Sequence, residues 1–157
     1  MDKHEYAERV EQIKAKLYRM ALLHLGNETL ALDAVSEAVY RGLISFKKLR
    51  EHAFFDTWMT RILINECNKQ WRHIKRVQTV ETIPESAEEE KAYDYLPLNE
   101  AIRQLPAELK EVVILRYYAD YTLAETAESL NIPQGTVVTR QRRALKLLKL
   151  ELLEEDN

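Results

Sequence analysis

The amino-acid sequence predicts an all-α protein: two small helical domains joined by a flexible acidic linker, the C-terminal one a helix-turn-helix. Its 157 residues include only 3 Gly and 4 Pro, which favours long helices over a many-stranded sheet. Apolar residues recur at helical spacing on both sides of a central polar stretch, residues 77–97, which contains Pro84 and Pro97 and shows no such period. We therefore expect helical domains at residues 1–76 and 98–157.

The first domain begins with two amphipathic helices. The first, at about residues 4–25, ends at Gly26-Asn27, and the second covers about residues 28–46. The apolar positions of the first helix are Tyr6, Val10, Ile13, Leu17, Met20 and Leu23. The core stripe expected of the second helix is Leu32, Val35, Val39, Leu43 and Phe46.

The third helix, at about residues 54–75, has two chemically different faces. Met59, Leu63, Cys67 and Ile74 form the expected core face. The opposite face combines an aromatic ring, amides and cations, namely Trp58, Arg61, Asn65, Asn68, Lys69, Arg72 and Arg76. A ring can stack on a base, amides can read a base edge, and cations can follow phosphates. The face therefore suits a single nucleic-acid strand, although a solvated polar face explains the same pattern.

The second domain is predicted to carry a helix-turn-helix. Short helices at residues 98–104 and at about 107–118 precede a capping box that begins at Thr122. Asn131 can adopt the left-handed turn conformation before a last helix at about residues 135–153. The inward face of that helix is Val137, Gln141, Ala144 and Leu148. The outward face carries a hydroxyl and cations suited to a major groove, at positions Val138, Thr139, Arg142, Arg143, Lys146 and Lys149.

The net charge of −3 hides a strong segregation of charge along the chain. Residues 58–76 carry five cations against one acid, and residues 134–150 carry five cations and no acid. Residues 81–100 hold seven acids against one lysine, and residues 151–157 add four acids. The mild overall acidity therefore does not argue against a nucleic-acid partner.

Several classes of protein are disfavoured by the composition. Apolar runs reach only four residues, so we expect neither a transmembrane helix nor a signal-peptide core. Cys67 is the single cysteine, which excludes an internal disulfide and fits a reducing cytoplasm. The four histidines are scattered, so no metal site is expected. An enzyme is the weakest interpretation, because no nucleophile–base pair or phosphate-binding glycine loop is visible.

Four segments together resemble the extracytoplasmic-function sigma factors of bacterial RNA polymerase. Residues 32–41 (LDAVSEAVYR) are similar to the family's D-x-V-Q-E-x-F-x-R, and residues 55–65 (FDTWMTRILIN) to its F-x-T-W-L-x-R-I-A-x-N. Residues 105–117 (LPAELKEVVILRY) resemble L-P-x-x-x-R-x-V-x-x-L-R-Y. Residues 121–144 (YTLAETAESLNIPQGTVVTRQRRA) resemble the family's helix-turn-helix motif, which other regulators share.

The resemblance implies three surfaces. The first contacts the polymerase β′ clamp through Asp33, Ser36, Glu37, Tyr40 and Arg41. The second, which includes the loop at residues 47–56, captures the non-template strand of the promoter minus-10 element through Lys48, Arg50, Trp58, Arg61, Asn65, Lys69 and Arg72. The third reads the minus-35 element through Thr136, Val138, Thr139, Arg142, Arg143 and Lys146.

The resemblance also implies further partners and a location. It implies contact with the polymerase β flap. It also implies inhibition by an anti-sigma factor, which is often anchored in the membrane. The chain itself would then be cytoplasmic, held near the membrane by that factor without inserting into it. It implies no cofactor, no metal and no small-molecule substrate.

The chain departs from the family pattern at four positions. Ser36 replaces Gln and Val39 replaces Phe on the clamp motif, Asn131 replaces the turn Gly, and Val138 replaces a frequent cation on the DNA face. Two other interpretations stay open. A free-standing helix-turn-helix regulator would bind DNA without polymerase, and a helical adaptor would show no salt-dependent DNA binding.

Overall fold

The computed structural model describes residues 1–78 and 96–155, and over these residues the chain is helical without a β-strand. The chain divides into two compact units, Met1–Ile74 and Lys75–Asn157. The predicted fold class is confirmed. The ends of the acidic linker predicted at residues 77–97 are helical, because the third helix continues to Gln78 and a further helix begins at Leu96. The rest of the linker stays a prediction, since residues 79–95 lie outside the described part of the chain. Within the described residues, no helix is both long enough and apolar enough to cross a membrane.

Helix α1, Lys3–Leu25, is defined by a cap at each end. The Asp2 carboxylate accepts a hydrogen bond from the Glu5 backbone N–H at 2.8 Å. Gly26 ends the helix with a left-handed φ of 72°, a conformation that glycine adopts without a steric penalty. Every residue of the predicted apolar stripe is buried, which confirms the prediction for this helix.

Helix α2, Glu28–Ser45, buries a different face from the predicted one. Its buried residues are mostly small, namely Ala31, Ala34, Val35, Ala38 and Gly42. The core prediction was correct for Val35 and Phe46, but it was wrong for Leu32 and Leu43, which are 51% and 40% exposed. Val39 is only partly buried. Small residues let α2 approach α1 closely, so close packing decided the orientation rather than the size of the apolar side chains.

Two short 3₁₀ turns, Phe46–Lys48 and His52–Phe54, lead into helix α3, Phe55–Gln78. Phe55 is buried, and its ring lies 5.9 Å from that of Tyr6 in an edge-on arrangement. The predicted core face of α3 is confirmed at Met59, Leu63 and Cys67, which are fully buried.

The C-terminal unit begins with α4, Leu96–Arg103, and α5, Ala107–Val113. The predicted regular helix to Tyr118 is replaced after Val113 by a π-helical turn, Ile114–Tyr118. The Ala119 N–H donates to the Ile114 carbonyl at 3.0 Å, a span of five residues, and Asp120 then takes a φ of 57°. This wider turn reverses the chain before the helix-turn-helix.

The helix-turn-helix is formed by α6, Leu123–Leu130, and α7, Gln134–Glu155. The predicted capping box is present: the Glu125 N–H donates to the Thr122 hydroxyl at 3.0 Å, and the Thr122 N–H donates to the Glu125 carboxylate at 2.9 Å. Asn131 has the predicted left-handed conformation, with a φ of 57°. A shared core holds the motif together, consisting of Val112, Ala127 and Val137 with Leu123, Leu130 and Ile132 packed against it.

Candidate nucleic-acid interface

Most of the polar face of α3 is exposed as the sequence predicts, whereas Asn68 is half-buried. Arg61, Asn65, Lys69 and Arg72 point to solvent at steps of four, four and three residues, so they form one stripe along the helix. Trp58 is half-buried at the start of this stripe, with its ring 5.9 Å from the Phe55 ring. A half-buried ring packed beside another aromatic ring offers a surface on which a base can stack.

The loop before α3 adds cations and an unpredicted aromatic residue. Lys48 and Arg50 are exposed, as a phosphate-contacting role requires. Phe54 is also exposed, whereas its neighbour Phe55 is buried. The adjacent pair was the available signal for Phe54, because successive side chains at a helix start cannot both face the same core. The loop is tied to α1 by the Arg9 guanidinium, which donates to the His52 carbonyl at 3.0 Å.

A cluster of charges joins α2 to α3. The Arg41 Nε lies 2.6 Å from Glu66 Oε1 and 3.3 Å from Glu37 Oε1. The Lys69 Nζ lies 3.4 Å from the same Glu66 oxygen. The Glu66 side chain is only 8% exposed. In the sequence, Glu66 stands out only as the single acid of a basic segment, and its spacing of three residues from Lys69 is the only local signal of an ion pair.

The outer face of α2 is partly apolar. Asp33, Ser36 and Arg41 are exposed and Glu37 is half-buried. Beside these polar residues lie exposed large apolar side chains, namely Leu32, Tyr40, Leu43 and Ile44. Leu32 and Leu43 were assigned to the core by the sequence, and Ile44 was not singled out. A row of exposed apolar residues rimmed by charges is typical of a protein-binding surface.

The outer face of α7 carries the predicted hydroxyl and cations. Thr139, Arg142, Arg143 and Lys146 are exposed, whereas Thr136 and Val138 are half-buried. The Thr139 hydroxyl donates to the Gly135 carbonyl at 3.0 Å, which keeps the hydroxyl close to the helix.

Arg116 supports α7 through hydrogen bonds that the sequence did not reveal. The Arg116 guanidinium donates to Gln141 Oε1 at 2.9 Å and to the Tyr121 carbonyl at 2.6 Å. Arg140 lies on a different side of α7, with its Nη2 3.5 Å from the Glu108 carboxylate. Within the described residues, no three His, Cys, Asp or Glu side chains are grouped as metal ligands.

Two helical units, one with a basic stripe beside an aromatic ring and the other with a helix-turn-helix, define a DNA-binding transcription protein. Comparison with known proteins makes this specific. Residues 9–77 match the family model of sigma-70 region 2, and residues 101–150 match that of sigma-70 region 4. The chain belongs to the sigma-70 family and is a sigma factor of the extracytoplasmic-function type, which directs promoter-specific transcription initiation by RNA polymerase.

Two curated relatives from Bacillus subtilis resemble the chain over most of its length. The RNA polymerase sigma factor SigV is 32% identical over 148 residues, which cover 91% of this chain and 88% of SigV. The ECF RNA polymerase sigma factor SigW is 28% identical, with coverage of 96% and 90%.

Two solved structures share the fold. The sigma factor RpoE from Bartonella quintana, solved with the anti-sigma factor NepR, has a TM-score of 0.74 at 19% identity and covers 94% of this chain and 96% of its own. CnrH, solved with the cytosolic domain of CnrY, has a TM-score of 0.75 at 20% identity, with coverage of 99% and 92%. A free-standing regulator is not favoured, because both region 2 and region 4 match in this chain.

Proposed function

We propose that this sigma factor binds core RNA polymerase and recognises the minus-10 and minus-35 elements of its promoters with its two units. The observation that carries the proposal is the pair of exposed basic helix faces, on α3 in one compact unit and on α7 in the other. The proposed domains are residues 1–76 for polymerase and minus-10 binding, 77–97 as acidic linker, and 98–157 for minus-35 binding. The chain contributes no catalysis of its own, because the polymerase makes the phosphodiester bonds.

The minus-10 surface is the α3 stripe with the preceding loop. Its cations contact phosphates of the non-template strand, and Asn65 reads a base that has left the stack. Unstacking a base costs a few kcal/mol, which stacking on an aromatic ring and new hydrogen bonds offset. The residues in this role are Lys48, Arg50, Trp58, Arg61, Asn65, Lys69 and Arg72.

The minus-35 surface is the outward face of α7 in the major groove. Arg142 and Arg143 reach base edges, where an arginine bridges the O6 and N7 atoms of guanine. Lys146 contacts phosphate, and the smaller side chains pack on the groove. The residues in this role are Thr136, Val138, Thr139, Arg142, Arg143 and Lys146.

The polymerase surface is the outer face of α2. Asp33, Ser36, Glu37, Tyr40 and Arg41 contact the β′ clamp. The apolar residues beside them extend the same surface and remove apolar area from water when the clamp binds. In the second unit, contact with the β flap completes the assembly.

We also propose regulation by an anti-sigma factor that covers these surfaces in the cytoplasm, where it holds the chain near the membrane. Support comes from the two solved structures of the same fold, since the RpoE structure contains an anti-sigma factor and the CnrH structure contains the cytosolic domain of a partner.

Run-off transcription with core polymerase and two variants tests the DNA surfaces. Arg143→Ala should reduce minus-35-dependent initiation about tenfold, because one good base contact contributes about 1–3 kcal/mol. Asn65→Ala should leave promoter binding largely intact and reduce opening of the minus-10 element, which a fluorescent base analogue placed there reports.

Arg19→Ala and Gln12→Ala are matched controls, since both replace exposed residues of α1 outside the proposed surfaces. If Arg143→Ala and Asn65→Ala both transcribe like these controls, the assigned DNA contacts are wrong.

A further inference from the structure

Glu66 is an acid embedded in a helix face that is otherwise basic. Its side chain is 8% exposed, and one carboxylate oxygen lies 2.6 Å from Arg41 Nε and 3.4 Å from Lys69 Nζ. A carboxylate buried to this extent is unfavourable unless cations or donors compensate it. Here the compensation comes from two different helices, α2 and α3.

The two cations belong to different proposed surfaces. Arg41 lies on the polymerase-binding face of α2, where it also contacts Glu37 at 3.3 Å. Lys69 lies on the DNA-binding stripe of α3. A single oxygen of Glu66 therefore contacts one residue from each surface.

The cluster also forms the wall between two surface grooves. A groove of about 620 Å³ runs along the polymerase side and includes Asp33 and Ser36 in its lining. A second groove of about 400 Å³ runs along the DNA side and includes Asn65 and Arg72 in its lining. Arg41, Glu66 and Lys69 are the residues that line both grooves.

We infer that Glu66 is a positioning residue that fixes Arg41 for the polymerase and Lys69 for the non-template strand, an inference that rests on the proposed function. A lysine side chain loses rotamer entropy when it is fixed. Because Glu66 restrains Lys69 before the DNA binds, part of this rotamer entropy is already lost in the folded protein. Less entropy is therefore lost when the DNA binds. Because Arg41 and Lys69 both lie beside its carboxylate, the negative charge of Glu66 is compensated within the cluster and opposes an approaching phosphate little.

The inference predicts a change in DNA affinity opposite to the change that net charge alone predicts. Removing an acid from a basic surface should strengthen DNA binding if only net charge matters. If Glu66 positions Lys69, Glu66→Gln should instead weaken it. Glu11→Gln is the charge-matched control, because Glu11 is an exposed acid on α1 outside the proposed surfaces.

The test measures the affinity of holoenzyme, assembled from the full chain and core polymerase, for a fluorescent single-stranded minus-10 oligonucleotide across a range of salt. We expect Glu66→Gln to raise the Kd several-fold and to lower the slope of log K against log salt by about 0.7, the loss of one phosphate contact on a single strand. Glu11→Gln should leave both unchanged or bind slightly more tightly. The affinity of each variant for core polymerase, measured in parallel, should fall for Glu66→Gln as well.

A second variant separates positioning from folding. Arg41→Gln changes a half-exposed residue, and it should weaken oligonucleotide binding although Arg41 is on α2. The double variant should be no worse than Glu66→Gln alone, because both changes disrupt the same cluster. Failure of wild-type holoenzyme to bind the oligonucleotide would overturn the proposed function. Binding by Glu66→Gln that equals or exceeds that of Glu11→Gln would overturn only the inference about Glu66.

Discussion

Gly42 sets how closely α2 packs in the N-terminal unit. A Cβ added there would overlap the Tyr6 hydroxyl and lie 2.9 Å from Met59 Sδ. Gly135 contrasts with it, because a Cβ added at that position would meet nothing within 4 Å. Close packing therefore requires glycine at position 42 but not at position 135, and substitution by alanine should change stability in opposite directions at the two sites.

We predict that Gly42→Ala lowers the free energy of unfolding of the N-terminal unit by about 1–3 kcal/mol, the usual effect of overpacking. Gly135→Ala should raise that of the C-terminal unit by up to about 1 kcal/mol, because alanine is the better helix former. Urea unfolding measures both. Tryptophan fluorescence reports the N-terminal unit alone, since Trp58 and Trp71 both lie there, and circular dichroism reports the whole chain. A stabilised Gly42→Ala would contradict the packing described.

Tyr6 makes the N-terminal unit sensitive to alkaline pH. Its hydroxyl donates to the Val39 carbonyl at 2.6 Å, and burial raises the pKa of Tyr6 to about 12. In the unfolded chain the tyrosine loses its proton near pH 10. The contribution of protonated Tyr6 to the free energy of unfolding is therefore complete below pH 10 and is lost as the pH rises toward 12.

We predict that the unfolding free energy of the N-terminal unit falls by about 2–3 kcal/mol between pH 10 and pH 12 on account of Tyr6. Tyr6→Phe should cost about 1 kcal/mol at neutral pH through the lost hydrogen bond, and its stability should decline less steeply above pH 10. Urea titrations followed by tryptophan fluorescence at each pH provide the comparison. Equal slopes for the two proteins would show that Tyr6 does not control this pH dependence.

At the scale of helices, the sequence predicted α1 and α3 better than α2. In α1 and α3 the large apolar residues recur at helical spacing on one side, and those residues are buried, apart from Ile74 near the end of α3, which is only partly buried. In α2 the buried side consists mostly of alanine and glycine, while Leu32 and Leu43 face outward. The spacing of large apolar residues identifies a buried helix face only when that face carries large side chains. It therefore misses the face of α2, where small residues allow a neighbouring helix to pack closely.

Features that depend on contacts distant in sequence could not be predicted. The capping box at Thr122 and the left-handed Asn131 were predictable, because both are encoded within four or five residues. The Arg41–Glu66 pair was not, since it requires that α2 and α3 be adjacent. The π-helical turn after Val113 also has no local residue signature.

Arg116 supports the helix-turn-helix by hydrogen-bonding to Tyr121 and Gln141. We predict that Arg116→Met lowers the free energy of unfolding of the C-terminal unit by about 1–3 kcal/mol, because the Tyr121 carbonyl and the Gln141 amide lose their donor. The transition seen by tryptophan fluorescence should not move. Lys149→Met, a change at an exposed position of α7, is the control and should be close to neutral. Equal stability of Arg116→Met and this control would remove Arg116 from its supporting role.

For the whole molecule, the segregation of charge is the clearest link between sequence and function. The net charge of −3 arises from basic helices and acidic segments that nearly cancel. In the described residues, the basic segments became the exposed faces of α3 and α7. In the exposed row on α2 the sequence placed only Tyr40 on the polymerase surface. Leu32, Leu43 and Ile44 were missed, and they extend the surface proposed to bind polymerase.

The most direct test of the central claim is run-off transcription with core RNA polymerase on a library of promoters, with and without the chain. We predict transcripts that appear only when the chain is present and that start downstream of one shared pair of minus-10 and minus-35 sequences. Sequence-specific DNA binding by the chain alone, with no chain-dependent transcript from any member of the library, would contradict it.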